Sequence, residues 1–176
     1  MIFTALAATA AVGRSNSSDF RLISVKSETL TQRAMIRARA SVKGLIGKDK
    51  RSVTFDARSV RLVVTTGPSN DMMSFRIRSL RNPTIFVRVS AKLHVLFVNT
   101  DGDMMHSFGV TSKTGPFEAK VVGQIVGSAN VKHTAGSRYF AQDLLFTAPS
   151  KPGSYSYVCS TPGHAAAGMF GTLIVR

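Results

Sequence analysis

The chain has 176 residues, 44% of them hydrophobic, and carries 23 basic against nine acidic side chains, a formal net charge of +14. This length fits one domain with a sizeable core, and the single cysteine excludes an internal disulfide. The basic residues are mostly scattered singly, without a helix-turn-helix or RNP-like pattern. The composition therefore predicts a solvated basic surface and argues against a nucleic-acid-binding protein.

The first 19 residues form a separate segment. Residues 1–12 are an apolar, small-residue run, shorter than the roughly 20 residues of a membrane-spanning helix. They fit either the trimmed end of a signal peptide or membrane anchor, or a first strand or short helix packed on the domain. Residues 13–19 read as a polar linker. The predicted organisation is this segment over 1–19, an N-terminal extension over 20–50, and a globular domain over 51–176 with the extension packed on it.

The extension contains one predicted helix, over about residues 28–40, which is rich in good helix formers. Ser27 is its predicted N-cap, and Glu28 is placed well in the first turn. Residues 43–50 contain two glycines and are predicted to form a loop.

From residue 51 onward the pattern changes to short segments rich in β-branched and aromatic residues, several of them alternating polar and apolar side chains. Many short strands at this spacing predict an all-β sandwich. The predicted strands are 53–55, 60–64, 74–78, 84–89, 93–98, 106–111, 138–147, 153–158 and 170–175.

The most informative residues are Cys159, His164 and Met169, which follow one another at intervals of five. A thiolate, an imidazole and a thioether on one short loop are a soft ligand set. With one more imidazole they make the His₂Cys site with a weak axial Met of a blue-type copper protein. Gly163 and Gly168 each precede a ligand, which predicts unusual backbone dihedrals there.

The fourth ligand is expected from a neighbouring strand. His106 lies just after the turn 99–103, at the start of the next predicted strand, which places it at the end of the sandwich, within reach of the ligand loop. His94 lies in the middle of a predicted strand and is interpreted as a surface or core histidine. His133 lies in a segment rich in Ser, Asn and Gly and is interpreted as a loop residue.

Two other readings of Cys159 remain open. A Cys–His nucleophile pair would need an orienting group and an oxyanion hole, and neither accompanies Cys159 and His164 in the sequence. A structural zinc site usually has four N/S ligands with paired cysteines. A thioether favours copper over zinc.

The C-terminal part of the sequence resembles a known protein family. The stretch 155–171, with its Cys-x₄-His-x₄-Met spacing, resembles the ligand loop of the rusticyanins, cupredoxins of acidophilic iron oxidisers. Residues 74–84, 95–100, 106–110 and 115–117 are also similar, so that the resemblance covers roughly residues 50–176. The turn 101–105 and the large basic excess depart from it. Membrane-anchored cupredoxins associated with acidophile terminal oxidases are a related group.

The resemblance implies a cupredoxin Greek-key β-sandwich that holds one copper ion, Cu(I) or Cu(II), through His106, Cys159, His164 and axial Met169. It implies an electron carrier and not an enzyme. The expected partners are redox proteins, a cytochrome c or a terminal oxidase, and the expected location is the periplasm or the outer face of the cytoplasmic membrane. The protein is expected to be a monomer, with membrane association through a missing or trimmed N-terminal anchor.

Two functions other than electron transfer remain open. A copper enzyme, or the copper domain of a larger oxidase or reductase, would need a second metal site, for which the sequence has no second His cluster. A copper chaperone or storage module would favour Met-rich motifs, and the pairs Met72-Met73 and Met104-Met105 give this reading thin support.

Overall fold

The computed structural model describes residues 20–121 and 125–176, and these residues form thirteen strands and one helix. The helix is α1 (Gln32–Ala40). The strands are β1 (Arg21–Thr31), β2 (Leu45–Ile46), β3 (Ser52–Phe55), β4 (Ser59–Thr66), β5 (Phe75–Ile77), β6 (Leu80–Arg81), β7 (Thr84–Val87), β8 (Lys92–Asn99), β9 (Gly109–Thr111), β10 (Val126–Gly127), β11 (Arg138–Thr147), β12 (Gly153–Val158) and β13 (Phe170–Val175). No helix in these two ranges has the length and apolar character needed to cross a membrane.

The strands form two sheets, which confirms the predicted all-β architecture. One sheet has six strands in the order β1-β11-β8-β4-β5-β6, and the other has seven in the order β10-β9-β12-β13-β7-β3-β2. Most neighbouring strands are antiparallel, but β4 pairs with β8, and β7 pairs with both β3 and β13, in parallel. Strands that are distant in sequence therefore meet, and the two ends of each sheet collect loops from different parts of the chain.

Residue patterns explain which faces the strands bury. In β13 the residues at alternate positions, Gly171, Leu173 and Val175, are buried, while the residues between them are only partly covered. This period of two is that of a strand with one face on the core. In β4 every residue from Leu62 to Thr66 is buried, as expected for a strand covered on both faces.

The core between the sheets is aromatic and lies directly below the predicted ligands. Phe75, Phe97 and Phe146 come from the six-stranded sheet, and each pairs with Phe108, which in turn stacks on Tyr157. Ring centroids lie 5.6 Å apart for Phe75 and Phe108 and 6.5 Å apart for Phe108 and Phe146, in the range of favourable aromatic pairs. Because Phe108 is two residues from His106 and Tyr157 two from Cys159, this cluster anchors both chain segments that carry the predicted ligands.

The last three strands have the limits that the sequence predicted. The helix of the N-terminal extension does not. Strands β11, β12 and β13 span the predicted residues. The helix prediction was wrong at its start, because residues 28–31 belong to β1, which pairs antiparallel with β11 from residue 21 to residue 31. The N-cap is Thr31 instead of Ser27, and its Oγ1 accepts a hydrogen bond from Ala34 N–H at 3.3 Å. Pairing along a whole strand outweighs the helical propensity of four residues.

Two smaller predictions also need correction. The predicted loop 43–50 contains β2, which pairs with β3 and forms one edge of the seven-stranded sheet. The predicted strand 106–111 begins only at Gly109, because His106 instead forms an isolated bridge with Val131. The predicted apolar segment and linker, 1–19, lies outside the described residues, and the division of the chain at residue 50 stays a prediction.

Candidate metal centre

The four predicted ligand side chains meet at one end of the sandwich. His106 Nδ1 lies 3.1 Å from His164 Nδ1 and 3.1 Å from Met169 Sδ. Cys159 Sγ lies 3.5 Å from His164 Nδ1. Donor atoms of the two histidines and the cysteine all lie within 4.8 Å of one another. His106, Cys159 and Met169 are fully buried, and His164 keeps 8% of its surface exposed.

The loop 159–169 is closed by the strands on either side of it. Val158 at the end of β12 pairs with Phe170 at the start of β13, and Cys159 N–H donates to Met169 O at 3.1 Å. Within the loop, Met169 N–H donates to His164 O at 2.9 Å. The loop therefore returns His164 and Met169 to the level of the cysteine, where the strand register holds both of its ends.

Two glycines make this tight return sterically possible. Gly163 has φ +84° and Gly168 has φ +99°, and both lie in the region that L side chains rarely adopt. The unusual dihedrals predicted before His164 and before Met169 are thus confirmed. The Gly168 carbonyl also accepts a hydrogen bond from Asn82 Nδ2 at 2.9 Å, which ties the loop to the β6–β7 connection.

His106 is positioned by backbone pairing and not by a regular strand. It exchanges two backbone hydrogen bonds with Val131, with N···O distances of 3.2 and 2.7 Å. The buried side chain of Asn99, at the end of β8, donates to the carbonyl of Val131 and to that of Met104. This amide fixes both the turn before His106 and the segment opposite it.

A buried carboxylate, Asp101, fixes the orientation of the His106 ring. Asp101 is 5% exposed, and its Oδ2 lies 2.9 Å from His106 Nε2. Its Oδ1 accepts hydrogen bonds from the backbone N–H groups of Asp103 and Met104. With a proton on Nε2 donated to the carboxylate, Nδ1 keeps its lone pair directed at Cys159, His164 and Met169. A carboxylate behind a ligating histidine is a common feature of metal sites.

Protonation equilibria in the cluster follow from burial and from these hydrogen bonds. Burial opposes ionisation of Asp101, but hydrogen bonds from His106 and two backbone N–H groups outweigh it and lower the pKa of this carboxyl. Burial likewise opposes a thiolate at Cys159, yet hydrogen bonds from His106, Thr161 and the Ser107 N–H lower the pKa of the thiol. The Ser107 nitrogen lies 3.3 Å from Sγ.

The pKa values of the two histidines move in opposite directions. Burial, together with the nearby His106, lowers the pKa of His164, which favours its neutral imidazole. Burial also acts to lower the pKa of His106, but the hydrogen bonds with Cys159 and Asp101 outweigh it and raise the pKa. The two anions that favour a proton on His106 equally favour a metal cation at its Nδ1. Copper requires a thiolate and neutral imidazoles, and the shifts at Cys159 and His164 favour both.

The donor set fits copper better than the other readings of Cys159. Two imidazole nitrogens, a thiolate and a thioether are the ligands of blue copper sites, and a thioether is a soft ligand that suits Cu(I). A nucleophilic cysteine must be reached by its substrate, whereas Cys159 has no exposed surface. The pocket therefore suits a soft, redox-active ion that is shielded from water.

The other histidines lie outside this cluster. His94 is half-buried in β8 opposite Leu145, and His133 is exposed, with its Nδ1 3.2 Å from a neighbouring backbone oxygen. Both were expected to be non-ligands. Of the three alanines that follow His164, Ala165 is fully buried, and Ala166 and Ala167 are exposed.

Sequence reasoning missed the roles of Asp101 and Ser107. Asp101 was noted only as a departure from the pattern of relatives. An Asp that begins a turn and lies five residues before a ligand histidine was the available signal, because an Asp side chain often caps the backbone two residues onward. Ser107 gave no signal in the sequence, since its role depends on the approach of Cys159, 52 residues away.

Comparison with known proteins identifies relatives of this fold and site. Residues 62–176 match the family of copper binding proteins described as plastocyanin/azurin. Rusticyanin of Acidithiobacillus ferridurans is 33% identical over 142 residues, which cover 77% of this chain and 75% of the relative. Rusticyanin of Acidithiobacillus ferrooxidans is 32% identical over the same length and coverage.

Solved rusticyanin structures share the fold. A structure of reduced rusticyanin superposes with a TM-score of 0.77 at 28% identity, covering 86% of this chain and 100% of the other. Rusticyanin from Thiobacillus ferrooxidans gives a TM-score of 0.76 at 30% identity, covering 86% and 97%. The chain therefore belongs to the plastocyanin/azurin family of copper-binding proteins, in which it is a rusticyanin-like type 1 copper cupredoxin that transfers electrons.

Proposed function

We propose that this protein carries single electrons through one copper ion held by His106, Cys159 and His164, with Met169 as the weak axial ligand. The observation that carries the proposal is the convergence of these four donors in a buried pocket. We propose a cytochrome c or a terminal oxidase of a respiratory chain as its partners. The proposed location is the periplasm or the outer face of the cytoplasmic membrane, with membrane association through the N-terminal segment.

The chain's own residues supply the conditions for rapid transfer. Bound copper supplies the one-electron couple between Cu(I) and Cu(II). The loop closure between Cys159 and Met169, and the Asp101 hydrogen bond to His106, fix the donor atoms before any electron arrives. Burial of the donors excludes water. Both effects reduce the rearrangement that a change of charge would otherwise require.

His164 is the proposed exit for the electron. It is the one donor residue with measurable exposure, 8%, and the neighbouring Pro162, Ala166 and Ala167 are exposed. This small, uncharged rim allows close approach of a partner. The charge lies elsewhere, because residues 1–100 hold 17 of the 23 basic side chains and only five of the nine acidic ones. Longer-range attraction of an acidic partner surface would then come from the basic part of the chain.

Burial of the site also favours a carrier over a chaperone. A protein that hands copper to another must expose its ligands to the receiver, whereas Cys159 and Met169 have no exposed surface. The structure describes one group of three His, Cys or acidic side chains close enough to hold a metal within residues 20–121 and 125–176. We propose accordingly that the protein is a carrier and not an enzyme.

The test is an absorption spectrum together with voltammetry of the copper-loaded protein. We expect a thiolate-to-copper absorption band and one reversible one-electron wave, and we expect Cys159→Ser to lose both. His133→Ala is the matched control, because it removes a histidine that lies outside the cluster, and it should keep both signals. Wild-type protein with neither colour nor a redox wave after copper loading would overturn the proposal.

Salt dependence tests the proposed role of the basic surface. Electron transfer from the reduced protein to an acidic redox partner should slow as ionic strength rises, because exposed charges are screened within about 10 Å at 0.1 M salt. A rate that does not change with salt would argue against steering by charge while leaving the copper site unaffected.

A further inference from the structure

A second cavity lies apart from the metal centre, between the end of α1 and the β5–β6 hairpin. It has a volume of about 180 Å³ and shares no lining residue with the copper ligands. Its apolar part comes from Val42, Ile46 and Val63. Its polar part consists of three arginines and one serine, namely Arg39, Arg76, Arg78 and Ser79.

The charges around this cavity are unbalanced. None of its lining residues is acidic. Arg76 uses its Nη2 on the nearby Asp71, but its buried Nε–H has no acceptor among the described residues. Arg39 and Arg78 take part in no salt bridge within the described parts of the chain. Of the three guanidinium groups that line the cavity, only that of Arg76 has a carboxylate partner, and it shares this carboxylate, Asp71, with Arg81.

The hairpin that carries two of these residues has an unfavourable backbone. Arg78 has φ +51° and Ser79 has φ +69°, so both residues of this two-residue turn lie in the left-handed region. Such turns normally have Asn-Gly or Asp-Gly at these positions. Arg and Ser cost conformational free energy there, and both residues line the cavity. Arg78 is further held by a hydrogen bond from its Nη1 to Val42 O at 2.6 Å.

We propose that this cavity binds a small tetrahedral oxyanion, sulfate or phosphate. Guanidinium groups recognise such anions through paired N–H donors, and the Ser79 hydroxyl adds a further donor. The bound anion joins Arg39 of α1 to the hairpin residues Arg76 and Arg78. It thereby fastens the N-terminal extension to β5 and β6. This site is independent of the proposed electron transfer, and its failure would leave that proposal unchanged.

The first test is calorimetric titration of the full-length, copper-loaded protein with sulfate and, separately, with phosphate, in chloride buffer of constant ionic strength. We expect saturable binding of one anion per chain. Arg39→Gln should weaken it at least about tenfold, as expected for the loss of a charge-assisted hydrogen bond. Arg33→Gln is the matched control, because it removes the same charge from an exposed position on the same helix. It should bind like the wild type.

These outcomes distinguish specific binding of an anion in the cavity from general electrostatic attraction of anions to a basic protein. Binding that does not saturate, or that weakens equally in Arg33→Gln and Arg39→Gln, would overturn the proposal. Saturable binding of only one of the two anions supports the site and identifies its ligand. Arg39 is exposed, so its variant should fold even if Arg78→Gln, which also loses the contact with Val42, does not.

A second measurement tests the same site through stability. Sulfate stabilises most proteins by exclusion from their surfaces, so every variant should show some rise in Tm. Binding to the folded state adds a further rise, which we expect in the wild type and in Arg33→Gln but not in Arg39→Gln. An equal rise in all three proteins would contradict the proposal.

Discussion

Replacing Asp101 with asparagine should raise the reduction potential of the copper centre by about 100 mV. In the wild type the buried carboxylate accepts a hydrogen bond from His106 Nε2 at 2.9 Å. Its negative charge stabilises the more positive oxidised ion relative to the reduced one. Asparagine retains an oxygen that can accept the same hydrogen bond, so the variant removes the charge and preserves most of the geometry.

The size of the shift follows from the distance. A metal about 2 Å from Nδ1, with the imidazole ring and the 2.9 Å hydrogen bond in between, lies roughly 7 Å from the carboxylate oxygen. Unit charges at that separation interact by about 2.4 kcal/mol at an effective dielectric constant of about 20. For a one-electron couple this equals roughly 100 mV, since about 59 mV corresponds to a tenfold change in the equilibrium constant.

Voltammetry of the two proteins near neutral pH measures the shift, with Asp103→Asn as the matched control. Asp103 is exposed and contributes a backbone N–H to Asp101, so its substitution should change the potential much less. Because hydrogen bonds lower the pKa of Asp101, the wild-type potential should stay constant down to acidic pH. It should rise as the pH falls through that lowered pKa, whereas the Asn variant should show no such rise. A shift in the opposite direction, or one no larger than that of Asp103→Asn, would refute the reasoning.

Three further substitutions test individual contacts of the fold, each measured by chemical denaturation. Tyr157→Phe should lower the free energy of unfolding by about 1–3 kcal/mol, because it leaves a buried backbone carbonyl without its donor; an unchanged midpoint would contradict this. Asp71→Asn should cost about 1 kcal/mol at neutral pH. The hydrogen bond from Arg81 lowers the pKa of Asp71, so this stabilisation is present above the unfolded pKa and is lost as the pH falls through the folded one. If the difference in the free energy of unfolding between the wild type and Asp71→Asn grew as the pH fell, this reasoning would be contradicted. Gly168→Ala should destabilise by about 1–3 kcal/mol because of its φ of +99°, whereas Gly102→Ala, which has open space and no such dihedral, should be nearly neutral.

The ligand loop could be predicted because its information is local. Cys159, His164 and Met169 lie within eleven residues, and the strands on either side of them have clear alternation and turn signals. Their chemistry and spacing therefore indicated copper before any fold was known. The limits of β12 and β13 could be predicted for the same reason, since strand composition and adjacent turns coincide there.

Features set by distant pairing could not be predicted in this way. Residues 28–31 are strand because β11 lies beside them, although their own propensity favours helix. His106 lies outside β9 because its backbone pairs with Val131. The Ser107 N–H donates to a sulfur 52 residues away. In each case the structure depends on a partner that is distant in sequence, and local sequence patterns do not identify such a partner.

The central position of β13 has a consequence for how the copper site comes into existence. This strand lies between β12 and β7, with which it pairs in antiparallel and in parallel fashion, so the seven-stranded sheet is split until residues 170–175 are in place. Three of the four predicted donors, Cys159, His164 and Met169, lie in the loop between β12 and that strand. During synthesis from the N-terminus, His106 is therefore made long before its companions can be held at their distances. We therefore expect copper capture to follow closure of this sheet, because non-local strand pairing is slow. Unfolding that begins by loss of β13 would likewise release the metal first.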